Sequence, residues 1–377
     1  MENFSFAAPT ELVFGVDTEE QIPELLKKYN GSNVLIIHGN SAVKTGLLAK
    51  ITGFLDESKI KYTCLGGVVP NPRLSLVKEG IEIARAKNCD FVLAVGGGSA
   101  IDTAKAIAAG FYLDDVWEHC YMNGNEIERA LPVGCVLTIP AAGSEGSPST
   151  VITNEETGRK LGYGSDLLKC KFSILNPENS KTVPDFHLAS GIVDMLGHIF
   201  ERYFTRTQND ELITAMSEAA MRTIIAEGRK AMANREDMEA LAEIVLSGWL
   251  AHNDILGLGR EQDWASHEIE HELSAKYDIT HGSGLAIVYT GWLRFLKAHG
   301  DAQIQDVLAR FEKNVITLKS LADFYKEIGM PTALDNLDLH PTDAEIEEMA
   351  EAALFGGKTL GSFYKLTKAD IVEILKA

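Results

Sequence analysis

Between Asn33 and about Pro177, short apolar runs alternate with amphipathic stretches, and this alternation constrains the fold most. NVLIIHG (33–39), FVLAVGGG (91–98) and VGCVLTIP (133–140) are rich in Val, Ile and Leu, and each ends in Gly or Pro. An apolar run without polar alternation is what a parallel strand covered on both faces requires. TCLGGVVP (63–70) and KFSILNP (171–177) are weaker runs of the same kind. Between the runs, AVKTGLLAKITGFL, LSLVKEGIEIARAK and AIDTAKAIAAGFYL read as helices. Strand and helix in alternation predict a doubly wound α/β domain. STVITNEETGRKLGYG (149–164) reads as a polar hairpin turning at Asn154–Gly158.

From about Val183 the strand-like runs nearly vanish. ELITAMSEAAMRTIIAEGRKAM, MEALAEIVLSGWLAHNDIL and DAEIEEMAEAALFGG carry helical periodicity. A chain of 377 residues is long enough for two domains with cores of their own. The expected organisation is an α/β domain over residues 1–182 and an all-helical domain over 183–377.

Charge and cysteine usage exclude several function classes. Thirty-five Lys and Arg against 54 Asp and Glu give a net charge of −19. Such a field repels nucleic acid and anionic membranes. No run of about 18 apolar residues predicts a membrane span, and MENFSFAAPTELVFG lacks the basic and apolar regions of a secretion signal. Cys64, Cys89, Cys120, Cys135 and Cys170 are scattered without a CxxC pair, so a reduced, cytoplasmic protein is expected.

Two glycine-rich turns carry the first chemistry. GGGSAIDTAKAIA begins at Gly96, directly after an apolar strand, and opens a helix. Gly96, Gly97 and Gly98 let the backbone approach a ligand closely, Ser99 is expected to cap the helix, and free N–H groups there attract a pyrophosphate. A plain strand-to-helix turn would use some of the same residues. TIPAAGSEGSPST (138–150) follows the next strong strand. Ligands of open α/β sheets bind beyond the carboxyl ends of strands, so two such turns say more than one.

The second chemistry lies in the helical half. Asp194 and His198 in GIVDMLGHIFERYF are four apart and share one helix face. His267 and His271 repeat that spacing, and His281 follows ten residues later. One carboxylate and several imidazoles suit a divalent metal with an open coordination position. His267-Glu268-Ile269-Glu270-His271 is also a literal HExxH, the zinc-protease pattern. The extended metzincin form needs Gly at 274 and His at 277, where this chain has Ser274 and Tyr277. A peptidase would moreover leave the phosphate turn and the Asp194–His198 pair without a purpose.

Taken together, GGGSAIDTAKAIA, TIPAAGSE, GIVDMLGH and DWASHEIEHELSAKYDITHGSGLAI resemble the iron-containing alcohol dehydrogenases, in particular their NADPH-dependent butanol dehydrogenase and aldehyde reductase branch. The resemblance spans essentially the whole chain, including VVPNPR (68–73) and GSFYKL near the C-terminus. It implies an α/β dinucleotide-binding domain followed by an all-α metal-binding domain, an architecture similar to that of the dehydroquinate synthases. It implies metal ligands at Asp194, His198, His267 and His281, with Fe²⁺, Zn²⁺ or Ni²⁺ compatible with a donor set lacking thiolate. His271 would then stand beside the nicotinamide as a proton relay. Nucleotide contacts carry over onto Gly97, Gly98, Ser99, Asp102, Thr138 and Lys160. Where the branch has a Met-Asn pair after GSE, this chain reads Gly146-Ser147-Pro148. The implied reaction is hydride transfer between a nicotinamide and a small alcohol or aldehyde, by a homodimer, with the metal polarising the oxygen.

Two further expectations concern specificity. Residues 38 to 44 contain no Asp or Glu; Gly39 leaves room, Ser41 offers a hydroxyl and Lys44 a positive charge, so NADP(H) is expected over NAD(H). Trp264, Tyr289, Trp292 and Phe295 form either an apolar substrate lining or part of the helical core. A dehydroquinate synthase-like lyase would need many basic residues for its anionic substrate, and these are sparse around the metal-ligand blocks. A non-catalytic metal- and nucleotide-binding protein is the other alternative, to be recognised by a lack of NAD(P)H oxidation with any aldehyde.

Overall fold

The computed structural model describes residues 1–377. Contacts divide them into two compact units: Ala7–Val183, and Met1–Phe6 together with Pro184–Ala377. The opening hexapeptide belongs to the helical unit, where Glu2 N donates to Gly259 O at 2.9 Å.

In the first unit, six parallel strands form one sheet in the order β1-β8-β5-β4-β2-β3: β1 (Glu11–Phe14), β2 (Asn33–Gly39), β3 (Lys61–Val68), β4 (Phe91–Gly96), β5 (Val133–Leu137) and β8 (Phe172–Leu175). β4, β5 and β8 are buried along their whole length, as their unbroken apolar runs require. β3 is an edge strand and half exposed, which explains its weaker signal. The expected hairpin is β6 (Ser149–Asn154) and β7 (Arg159–Gly164), with Gly158 at φ +66° in the turn.

The helices of this unit are α1 (Ile22–Lys28), α2 (Asn40–Lys44), α3 (Leu47–Glu57), α4 (Leu74–Lys87) and α5 (Gly98–Gly110). The helix expected over 42–55 is two helices. Gly46, at φ +80°, breaks it, a conformation that ends one helix and starts the next. β2 connects to β3 on one side, and the chain then crosses back to place β4 on the other side of β2. The strand order therefore reverses between β2 and β4, and open α/β sheets bind ligands beyond the carboxyl ends of strands at such a reversal.

The second unit contains α6 (Asp185–Tyr203), α7 (Glu211–Ala233), α8 (Met238–His252), α9 (Ala265–Tyr277), α10 (His281–His299), α11 (Ala302–Asn314), α12 (Leu318–Glu327), α13 (Asp343–Ala353) and α14 (Lys368–Leu375). Helix α6 is buried on nearly every face from Leu188 to Tyr203, so it is the centre of the unit. Aromatic rings of Phe200, Phe204, Tyr289, Trp292, Phe311 and Phe363 pack beside it in edge-to-face and tilted pairs. Tyr289, Trp292 and Phe295 are thus core, the second of the two alternatives their sequence left open. Trp264 alone keeps partial exposure, with its ring 5.2 Å from that of His267. No helix is long and apolar enough to cross a membrane.

Candidate functional site

Gly96 ends β4, and Gly97 is the N-cap of α5 without a side-chain cap. Ser99 lies inside the first turn and does not cap the helix, contrary to the sequence expectation. The three glycines differ in what they face. A Cβ on Gly96 would lie 2.6 Å from Ala100 Cβ, and one on Gly97 would lie 3.0 Å from Ile139 Cβ. A Cβ on Gly98 would meet nothing within 4 Å, so that face of the turn is open. Open N–H groups at the start of a thirteen-residue helix suit a phosphate.

Across from this turn, Thr138 follows β5, with its N–H on Gly96 O at 3.0 Å. Its Oγ1 is buried and has no hydrogen-bond partner. A buried hydroxyl left without a partner is costly, so this one is available to a ligand. Gly39 and Ser41 lie at the carboxyl end of β2 and the start of α2, on the other side of the strand-order reversal.

Lys105, which sequence reasoning did not single out, holds the second Gly/Ser turn in place. Its ammonium is fully buried and donates to Ser144 O (2.6 Å), Ser147 O (2.8 Å) and Ser149 O (2.9 Å). One helical turn earlier, the Asp102 carboxylate accepts from Ser144 Oγ (2.6 Å) and Val151 N (3.0 Å). Burial raises the Asp102 pKa, opposed by Lys105, these hydrogen bonds and Lys160. Lys160 is itself buried, on β7 opposite Thr153. The Gly146-Ser147-Pro148 departure lies within this clamped segment. Ser173 Oγ donates to the carbonyl of Glu145, whose side chain is buried and pushed by that burial up to about 7.

In the helical unit, Asp194, His267 and His281 each offer a donor atom, and the three atoms lie within 4.8 Å of one another. The His281 Nε2 to Asp194 Oδ1 distance is 3.8 Å, and His198 Nε2 to the same oxygen is 3.4 Å. Donors about 2.1 Å from a tetrahedral metal sit ~3.4 Å apart, so both distances fit edges of such a site. His267 Nε2 is buried without a hydrogen-bond partner, while its Nδ1 is 2.7 Å from Glu201 Oε1. Burial first, then the neighbouring imidazoles, hold His198 and His267 well below the usual histidine range. Both are thus neutral, the form that binds a metal. These residues fit a divalent ion.

His198 stands beside the set of three, and an unforeseen partner explains its position. His252, at the end of α8, places Nδ1 2.7 Å from His198 Nδ1 and 3.2 Å from its Nε2. His271 is not in the set with Asp194. It groups with Glu270 and His281, and its Nδ1 is 3.7 Å from Glu268. The HExxH pair His267 and His271 therefore does not share one donor set, which removes the geometric basis of the peptidase reading. Sequence reasoning also missed Glu201 and Glu270. Both were readable as helix-face neighbours, Glu201 three residues after His198 and Glu270 three after His267.

Comparison with known proteins covers both units. The family model for iron-containing alcohol dehydrogenase matches residues 9–177. That for the C-terminal part of the Fe-containing alcohol dehydrogenase family matches 188–377. The chain is 40% identical over its full length, and over the relative's full length, to a probable NADH-dependent butanol dehydrogenase 1 of Bacillus subtilis. It is 31% identical to the NADPH-dependent aldehyde reductase YqhD of Escherichia coli, over 90% of each chain. Among solved structures, an NADH-dependent butanol dehydrogenase A of Thermotoga maritima superposes with a TM-score of 0.93 at 34% identity, covering 100% of this chain and 98% of that one.

Proposed function

We propose that this chain, which belongs to the iron-containing alcohol dehydrogenase family, is a metal-dependent NADP(H)-linked alcohol dehydrogenase and aldehyde reductase acting on small alcohols and aldehydes. The observation that carries the reading is the convergence of Asp194, His267 and His281 within 4.8 Å, with the buried His267 Nε2 left over for a ligand. Asp194, His198, His267 and His281 would hold the ion. Bound there, a divalent ion supplies Lewis acidity toward the substrate oxygen, while the nicotinamide carries the hydride. The donor set of three imidazoles and a carboxylate suits Fe²⁺ or Zn²⁺, and Ni²⁺ as well.

The protein's own residues bind and orient. Gly97, Gly98 and Ser99 present the open end of α5 to the pyrophosphate, and Thr138 offers its unpartnered hydroxyl. Asp102 and Lys160 shape the nucleotide side of the hairpin. His271 is assigned the proton relay, next to the donor set and outside it. The homodimer belongs to the same reading, supported by a free edge at β1 on which Phe14 is exposed.

The NADP(H) preference rests on residues 38–44, which lack any carboxylate. NAD(H) is the competing reading, favoured by the names of the relatives from B. subtilis and Clostridium acetobutylicum, which are called NADH-dependent. One experiment tests the function as a whole: NADPH and NADH consumption against an aldehyde panel including butanal, with metal analysis of the same sample. Turnover with NADPH favoured and metal bound is expected. Higher catalytic efficiency with NADH overturns the cofactor preference. No turnover with any aldehyde in metal-loaded protein overturns the activity.

A further inference from the structure

Asp194, His198 and Glu201 form one stripe along α6, at spacings of four and three; on α9, Glu270 lies three residues after His267 and so shares its face. The two carboxylates, Glu201 and Glu270, are not among the expected ligands, yet both are fully buried. Taking a carboxylate out of water is expensive unless something compensates it. Their partners show what does. Glu201 Oε1 lies 2.7 Å from His267 Nδ1 and also accepts from the His267 backbone N–H at 3.1 Å. Glu270 Oε2 makes a short contact with His281 Nδ1.

We infer that Glu201 and Glu270 are positioning residues for the metal site, each fixing the tautomer and ring angle of a histidine on another helix. The arrangement is crosswise: α6 supplies the carboxylate for the histidine of α9, and α9 supplies the one for the histidine of α10. With Nδ1 donating to a carboxylate, the imidazole carries its lone pair on Nε2, the nitrogen available to an ion. For His281, Nε2 is the atom 3.8 Å from Asp194 Oδ1. For His267, it is the nitrogen with no partner in the protein.

The backbone is shaped for this. A Cβ on Gly284, in the first turn of α10, would lie 2.6 Å from Glu270 Oε1 and 2.8 Å from its Cγ. The absence of a side chain there makes the seat for the carboxylate. That seat is at a helix N-terminus, where negative charge is favoured. It also separates the two acidic residues of HEIEH: Glu270 faces inward onto His281, while Glu268 remains partly exposed beside His271.

The inference rests on the metal reading above, and the test separates the two. Zinc affinity of the full-length chain is measured by competition with a chelator, for the wild type, Glu201→Ala, Glu270→Ala, both Gln variants, Gly284→Ala, Glu268→Ala and His267→Ala. Far-UV circular dichroism melts of the metal-free proteins check folding. Loss of an orienting partner costs about 10–100-fold in metal affinity. Both Glu→Ala variants and Gly284→Ala are expected to lose this much, and the Gln variants less, because an amide oxygen still accepts from Nδ1–H. Glu268→Ala should match the wild type. The visible spectrum of the cobalt-loaded protein should change in the Ala variants and be largely restored in the Gln variants, which a merely structural role would not produce. If Glu201→Ala fails to fold, Glu270 and Gly284 carry the test. Wild-type zinc affinity and cobalt spectra in folded Glu270→Ala and Gly284→Ala would overturn the inference while leaving the metal reading intact, provided His267→Ala loses the ion. A wild type that binds no zinc would overturn both.

Discussion

The two chemical centres of this chain are built by opposite means. At the proposed nucleotide end of the sheet, the side open to a ligand is mostly backbone: an uncapped helix start at Gly97 and Gly98, with one hydroxyl, Thr138 Oγ1, left over. The side chains that matter there, Lys105 and Asp102, point at the protein itself and hold the 144–151 segment in place. In the helical unit the donors are all side chains, and their partners are side chains too, with Glu201 on His267 and Glu270 on His281. A site made from backbone tolerates change wherever its scaffold survives. A site made from side chains fails at single positions.

The sharpest way to break this contrast is His267→Ala. It should empty the ion site and take turnover to background while nucleotide binding, followed by NADPH fluorescence, remains. Metal content unchanged from the wild type would remove His267 from the ligand set.

The corresponding change in the other half acts through stability. Lys105→Met leaves the carbonyls of Ser144, Ser147 and Ser149 without their buried donor. At about 1–3 kcal/mol for each orphaned acceptor, the loss should reach several kcal/mol. Chemical denaturation should show it, with the KM for nucleotide raised and the metal content of the folded protein intact. Equal stability in the variant would mean that the clamp is not needed.

How legible each centre was follows from how it is made. Glycine runs after apolar strands mark a backbone site directly, so the turn at Gly96–Gly98 and its helix could be read from letters alone. The i, i+4 pairs marked two of the helices that carry the proposed metal donors. The supporting groups were hidden. Lys105 reads as an ordinary helix lysine until β5 and the hairpin fold over it, and Glu270 as a surface carboxylate until Gly284 makes room for it. His252 lies 54 residues from His198, and no periodicity links them. The aromatic residues Tyr289, Trp292 and Phe295 showed the limit of composition: only packing, of Tyr289 and Trp292 against Phe200, Phe204 and Phe363 and of Phe295 against His299 and Tyr364, decides that they are core.

Glu145 gives the pH prediction. Burial pushes its carboxyl up to about 7 from the ordinary value of 4.5. Between those values the folded chain keeps a proton that the unfolded chain has released. Its contribution to stability therefore falls as pH rises through that window and levels off above it. At full strength the effect is about 3 kcal/mol. Glu145→Gln should remove this part of the slope between pH 5 and pH 8 in denaturant titrations, and an unchanged slope would show that Glu145 is ionised in the fold.

The smallest expected effect concerns the adenosine side. A Cβ on Gly39 would meet only Val68 O at 3.7 Å and Ser41 Oγ at 3.9 Å, so a side chain fits without strain. Gly39→Asp should repel a 2′-phosphate and move the ratio of kcat/KM for NADPH and NADH toward NADH by about tenfold, or ~1.4 kcal/mol. A ratio that does not move would place the 2′-phosphate elsewhere.

If nucleotide binding is backbone work in one unit and metal binding is side-chain work in the other, turnover needs both. Stripping the wild-type protein of metal with a chelator, then measuring NADPH binding and butanal reduction before and after a divalent ion is returned, tests it in one preparation. NADPH binding should persist in the stripped protein, reduction should disappear, and it should return with the ion. Undiminished reduction in the metal-free protein, or NADPH binding lost along with the metal, would contradict it.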